Sequence, residues 1–148
     1  MIKIGITGSI SSGKTTASKI ISKKNGPLFV ADDVVRKFYT KDNFRKLLAS
    51  KLNIVLNKKF KEQIKKKIFE SKSTLKILEK IIHPLVRKEM FKFILKNKKK
   101  KIVFFEIPLL VENKLGRNFD IIIFVKTKKS LRQKRYLLKG GNKKLFLL

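Results

Sequence analysis

The sequence has no cysteine, no tryptophan, three prolines and seven glycines among 148 residues, and ten acidic residues stand against 39 basic ones. Without cysteine there is no disulfide, no thiolate nucleophile and no cysteine-based metal site. No apolar run approaches the roughly 18 residues that a membrane-crossing helix needs, so no membrane partner is expected. The opening MIKIGITGS is apolar but too short for a signal peptide. A cytoplasmic protein is the expectation. Apolar residues make up 43% of the chain, enough for a packed core in one domain of ordinary size.

The formal net charge of +29 invites a nucleic-acid reading. Lysine supplies 33 of the positive charges and arginine only 6, and the lysines are spread along the chain, the longest run being 98–101. Specific nucleic-acid sites favour clustered arginine and stacked aromatics. A drift toward AT-rich codons explains the lysine excess better, and no specific nucleic-acid partner is expected. The positive field still attracts anionic ligands such as nucleotides.

Residues 2–7, IKIGIT, read as a buried strand. Residues 15–23 follow with helical spacing, Ala17, Ile20 and Ile21 forming the apolar side. A second strand is expected over 26–32, then two short helices, then an amphipathic helix over 58–71 carrying Phe60, Ile64 and Ile68. Ser73 is placed to cap a further helix, which Pro84 should start, kink or divide. Strands are expected over 101–110 and 119–127 and a last helix over 128–139. Strands alternating with helices, several of them almost wholly apolar, predict a parallel α/β sheet covered on both faces. Residues 41–100 hold no good strand and read as a helical insertion.

Gly8, Gly13, Lys14 and Thr15 fit G-x-x-x-x-G-K-[ST], the P-loop. The chain must wrap a phosphate with successive backbone N–H groups pointing inward, and glycines allow the turns and the close approach. Ser11, Ser12 and Thr16 complete the loop expected to bind ATP. Lys14 is expected on the β- and γ-phosphates, and Thr15 is expected to hold Mg²⁺ through its hydroxyl. The motif follows a predicted strand and opens a predicted helix, as this mechanism requires.

A GTPase should also carry D-x-x-G and N-K-x-D, and neither occurs. A small-molecule kinase fits the size. Ligands of such folds bind beyond the strand ends, where Asp32, Asp33 and Glu106 fall. Asp32 is the first choice for the base that accepts an alcohol proton, the alternative being a helix cap. For Asp33 the cap reading is preferred. Glu106 is a charge inside an apolar strand, and either Mg²⁺ association or a structural network accounts for it.

Four stretches, GITGSISSGKTT, VADDVVR, ILEKIIHPLV and FFEIPLLVENKL, together with QKRYLLKGG, resemble the dephospho-coenzyme A kinase family in order and spacing from residue 1 to 141. The resemblance implies a P-loop three-layer sandwich made of 1–40 and 101–127, a helical coenzyme A domain over 41–100 and a lid beginning at 128–148. It implies transfer of the γ-phosphoryl of ATP, with Mg²⁺, to the ribose 3′-hydroxyl of dephospho-coenzyme A. Asp32 falls on the base, and Arg36, His83, Pro108 and Leu109 on the acceptor side. Arg135 falls on a lid arginine, alongside Lys14 in handling the transferring phosphates. Plainer readings stand beside these: His83 as a helix-boundary residue, Leu109 and Leu110 as core, Arg135 on a solvated face. Another P-loop small-molecule or nucleoside monophosphate kinase, or a basic nucleic-acid-binding ATPase, are the alternatives.

The chain departs from the family pattern at Val30, where an aspartate is usual, at Glu106 for aspartate, and at Lys61 and Lys139 for arginine. Lysine keeps the charge and loses the bidentate fork, so substrate affinity is affected before reaction type. The family continues beyond the apolar LFLL at 145–148. A truncated member is therefore expected, with an uncovered sheet edge, exposed apolar surface, low stability and weak activity. Nothing in the sequence specifies an oligomer, and a monomer is the expectation.

Overall fold

The computed structural model describes every residue except 109, 111–114, 144, 145, 147 and 148, together with the side chain of residue 72. The chain divides into two compact units, one of Met1–Ala31 with Phe93–Leu148 and one of Asp32–Lys92. Each is described by itself.

The first unit is built on four strands, β1 (Ile2–Thr7), β2 (Leu28–Val30), β3 (Ile102–Glu106) and β4 (Ile121–Phe124). All pairings are parallel, in the order β2-β3-β1-β4. Alternation along the strands separates two apolar faces. Ile4, Ile6 and Phe104 are buried on one face with Ile21 of helix α1 (Lys14–Ser22). On the other, Phe105 stacks with Phe29, Phe93 and Phe119 at ring separations of 5.4–5.9 Å. Each fully buried side chain of this size contributes about 1.5–3 kcal/mol. Helix α6 (Lys129–Leu138) follows β4. Phe146 is buried, its ring 5.6 Å from that of Tyr136 and beneath the Arg132 guanidinium. Among the described residues β4 forms one edge of the sheet, with Ile121, Ile122 and Phe124 exposed.

The second unit is helical: α2 (Ala31–Phe38, whose first residue belongs to the other unit), α3 (Asp42–Leu52), α4 (Phe60–Glu70) and most of α5 (Lys72–Lys96). Its core is Phe38, Phe44, Leu48, Leu52, Phe60, Ile64 and Leu78. Phe44 packs against both Phe38 and Tyr39, with ring centroids 5.6 and 5.4 Å away. The Phe60 and Ile64 spacing read from the sequence is therefore the buried stripe.

Several boundaries differ from the sequence expectation. The units part after residues 31 and 92 rather than 40 and 100, because Phe38 packs into the helical core and Phe93 joins the aromatic row on the sheet. Residues of the expected lid group with the sheet unit. β2 stops at Val30, so Asp32 and Asp33 lie in the first turn of a helix rather than at a strand end. β3 stops at Glu106, before Pro108, which has no N–H to offer a ladder. Pro84 neither starts nor divides α5, which is a single helix of 25 residues. Ser73 lies inside that helix, and Ser71 takes the capping role, its hydroxyl accepting the Ser73 amide at 3.2 Å.

Candidate active site

β1 is a central strand, and the loop leaving its end is shaped by glycine. A Cβ on Gly8 would lie 2.6 Å from the Val125 carbonyl oxygen and 2.8 Å from Ser12 Oγ, so only hydrogen fits there. Gly13 has φ 91°, in the left-handed region, and stands as the N-cap of α1 with no side-chain cap bond. Ser11 also has positive φ, 55°, a strained conformation for a residue with a Cβ. The turn closes through Ser12 N–H donating to the Ser9 carbonyl at 3.1 Å. The first turn of α1, bearing Lys14, Thr15 and Thr16, therefore presents backbone N–H groups at the positive end of the helix dipole.

Two bonds hold the loop from outside. Thr127 Oγ1 donates to the Ser12 carbonyl oxygen at 2.8 Å, and Arg135 Nη1 donates to the same oxygen at 3.5 Å. Arg135 on α6 thus stands at the mouth of the loop, on the wall of a cleft of about 600 Å³ that Gly13, Thr16, Thr127 and Lys139 also line. The Ser12 hydroxyl is buried with no hydrogen-bond partner among the described residues. An unsatisfied hydroxyl of this kind costs about 1–3 kcal/mol and marks a loop shaped for something other than its own stability.

Glu106 closes the other side. Its side chain is 1% exposed at the end of β3. Oε1 accepts the Thr15 hydroxyl at 2.6 Å and Oε2 accepts the Ser18 hydroxyl at 2.7 Å. This pairing explains how α1 sits. The sequence places Ala17, Ile20 and Ile21 inward, yet Ile20 is 70% exposed while Ser18 and Ser22 are buried. Ser18 takes the place of an aliphatic group on the buried side because the buried carboxyl of Glu106 needs donors, while the Ser22 hydroxyl donates to the Lys19 carbonyl at 3.4 Å. Thr127 and Ser18 were not singled out by the sequence; a hydroxyl three residues into the segment after β4 and a serine one turn beyond the P-loop threonine carry no periodic signal.

The remaining predicted residues belong elsewhere. Pro108 lies in the turn after β3, and Leu109 is outside the described residues. Asp32, Asp33 and Arg36 lie on α2 of the helical unit, where Arg36 forms an exposed ion pair with Asp33. His83 is half-buried within α5.

The uncapped helix start, the left-handed Gly13 and the Thr15 hydroxyl suit a triphosphate and the divalent cation it carries, a cation that binds through phosphates and few protein ligands. Such a loop, after a central strand of a parallel sheet, defines a nucleotide-binding P-loop protein. Comparison with known proteins narrows this. The family model described as dephospho-CoA kinase matches residues 2–145. The dephospho-CoA kinase of Bartonella henselae is 31% identical over 140 residues, 92% of this chain and 72% of that protein. That of Bartonella quintana is 33% identical over 148 residues, 97% of this chain and 76% of its relative. Among solved structures, TT1252 from Thermus thermophilus superposes with a TM-score of 0.79 at 28% identity, covering 99% of this chain and 76% of that one. The chain belongs to the dephospho-CoA kinase family.

Proposed function

We propose that this chain transfers the γ-phosphoryl group of ATP to the ribose 3′-hydroxyl of dephospho-CoA, giving CoA and ADP. The observation that carries the reading is the loop itself, with Thr15 bound to Glu106 and Arg135 on the Ser12 carbonyl, in a chain of this family. The 3′-oxygen attacks the γ-phosphorus, the bond to the β,γ-bridging oxygen breaks, and ADP carries away its electron pair.

Lys14 and the first N–H groups of α1 bind the β- and γ-phosphates. Thr15 is the residue that would hold Mg²⁺, and Glu106 fixes its hydroxyl. Mg²⁺, when bound, neutralises charge on the β- and γ-phosphate oxygens. Arg135 leaves the Ser12 carbonyl for the transferring phosphoryl oxygens, where a planar fork suits their geometry. Asp32 accepts the proton of the 3′-hydroxyl. Arg36, His83, Pro108 and Leu109 serve the acceptor, Arg36 after exchanging its Asp33 partner for an anionic group of the substrate. A cytoplasmic location is part of this proposal.

ADP release from ATP and Mg²⁺, with and without dephospho-CoA, tests this reading. A panel of nucleoside monophosphates and nucleosides is run beside it. Release dependent on dephospho-CoA alone supports the proposal. Release driven equally by a nucleoside monophosphate contradicts it.

A further inference from the structure

Ser18 is fully buried on α1, one helical turn beyond Thr15 and on the same side of the helix. Its hydroxyl lies 2.7 Å from Glu106 Oε2 and 3.1 Å from the Thr15 carbonyl oxygen. It has one proton to give, and the contact to Glu106 Oε2 is the shorter and stronger of the two. Glu106 is thereby held at both oxygens by two residues three apart on one helix.

The second hold matters because of side-chain length. A glutamate has three side-chain torsions, and the last is broad, so one hydrogen bond leaves the carboxylate free to swing. Water does not supply a replacement donor at a side chain 1% exposed. The orientation of Oε1 decides what Thr15 offers. While Oε1 takes the hydroxyl proton, both lone pairs of Thr15 Oγ1 are free for a cation. If the carboxylate swings, the hydroxyl rotates with it.

We propose that Ser18 is a positioning residue for the cation site: it clamps the second oxygen of Glu106 so that the first keeps the Thr15 hydroxyl turned toward Mg²⁺. The inference rests on the reading of Thr15 as the cation-holding residue. It goes beyond that reading by assigning a role to a serine outside the P-loop motif. A merely structural serine, fastening α1 to β3, would act on folding and on nucleotide binding whether or not metal is present.

Calorimetric titration of ATP into the full chain, once with Mg²⁺ and once in EDTA, separates the two. Wild type is expected to bind ATP more tightly with Mg²⁺. Ser18→Ala is expected to lose about 10-fold of that Mg²⁺-dependent gain, the usual effect of losing an outer partner of a metal ligand, while metal-free ATP affinity is unchanged. If Ser18→Ala does not fold, Ser18→Cys, of similar size but a weak donor, is read in the same way. An undiminished Mg²⁺-dependent gain in the variant overturns the role of Ser18, as does an equal loss with and without metal. Absence of any Mg²⁺-dependent gain in wild type contradicts the underlying assignment of Thr15 instead.

Discussion

Thr15 and Glu106 lie 91 positions apart in sequence, and the Thr15 hydroxyl donates to Glu106 Oε1 at 2.6 Å. The bond joins the first turn of α1 to the end of β3, so the phosphate loop and the neighbouring strand end are one structure. Glu106→Gln keeps the size but presents an amide N–H₂ to one of two hydroxyl donors. Turnover with Mg²⁺ and ATP should fall about 10- to 100-fold. Steady-state kinetics across a Mg²⁺ series, with circular dichroism to verify the fold, checks it; wild-type turnover at every Mg²⁺ level would disconnect Glu106 from the cation.

Asp32→Asn should lower kcat by about 10²–10⁴ and leave ATP affinity unchanged, because it removes only the proton acceptor. Single-turnover transfer to dephospho-CoA measures the chemical step directly. Wild-type rates in the variant would move the base to another residue.

Arg135→Ala should reduce kcat by about 10²–10³, the scale of losing one preorganised donor to transition-state charge. Arg135→Lys should fall between, since the charge survives and the fork does not. A purely solvated arginine predicts no change in either variant.

Thr127→Val removes the shorter of the two bonds to the Ser12 carbonyl without changing side-chain volume much. The expected loss of stability is about 1 kcal/mol. Nucleotide binding should also weaken, because the loop loses a tether. Chemical denaturation and fluorescent-nucleotide titration read the two effects; a loop indifferent to this tether would show neither.

Burial raises the Tyr39 hydroxyl above its ordinary pKa of 10.0. The folded state therefore keeps its proton at a pH where the unfolded chain has lost it. The stability contributed by the neutral phenol is complete below pH ~10 and falls as pH rises through the folded value. Tyr39→Phe should flatten this alkaline decline in thermal unfolding scans between pH 9 and 11. An unchanged decline would assign it to other groups.

Much of this was readable from the sequence because the P-loop couples residue type to backbone shape. Gly8 and Gly13 stand where a Cβ would clash or where φ is positive, and the Phe60 and Ile64 spacing is the buried stripe of α4. The inward side of α1 was not readable in this way. Periodicity counts apolar residues, and here a buried carboxylate from a distant strand draws Ser18 inward and leaves Ile20 exposed. Thr127 escaped for a similar reason, since its partner is a backbone carbonyl 115 positions away. The serine cap was displaced by two residues, from Ser73 to Ser71, because both positions suit a helix start and only the hydrogen-bond geometry separates them.

The central claim is the identity of the phosphorylated product. The chain is incubated with ATP, Mg²⁺ and dephospho-CoA, and the product is identified by mass spectrometry and ³¹P NMR. The account predicts CoA bearing a ribose 3′-phosphate, formed in equal amount to ADP, and lost in Lys14→Ala, which removes charge compensation in both ground and transition states. ADP formed at the same rate without dephospho-CoA, or formed undiminished by Lys14→Ala, would contradict it.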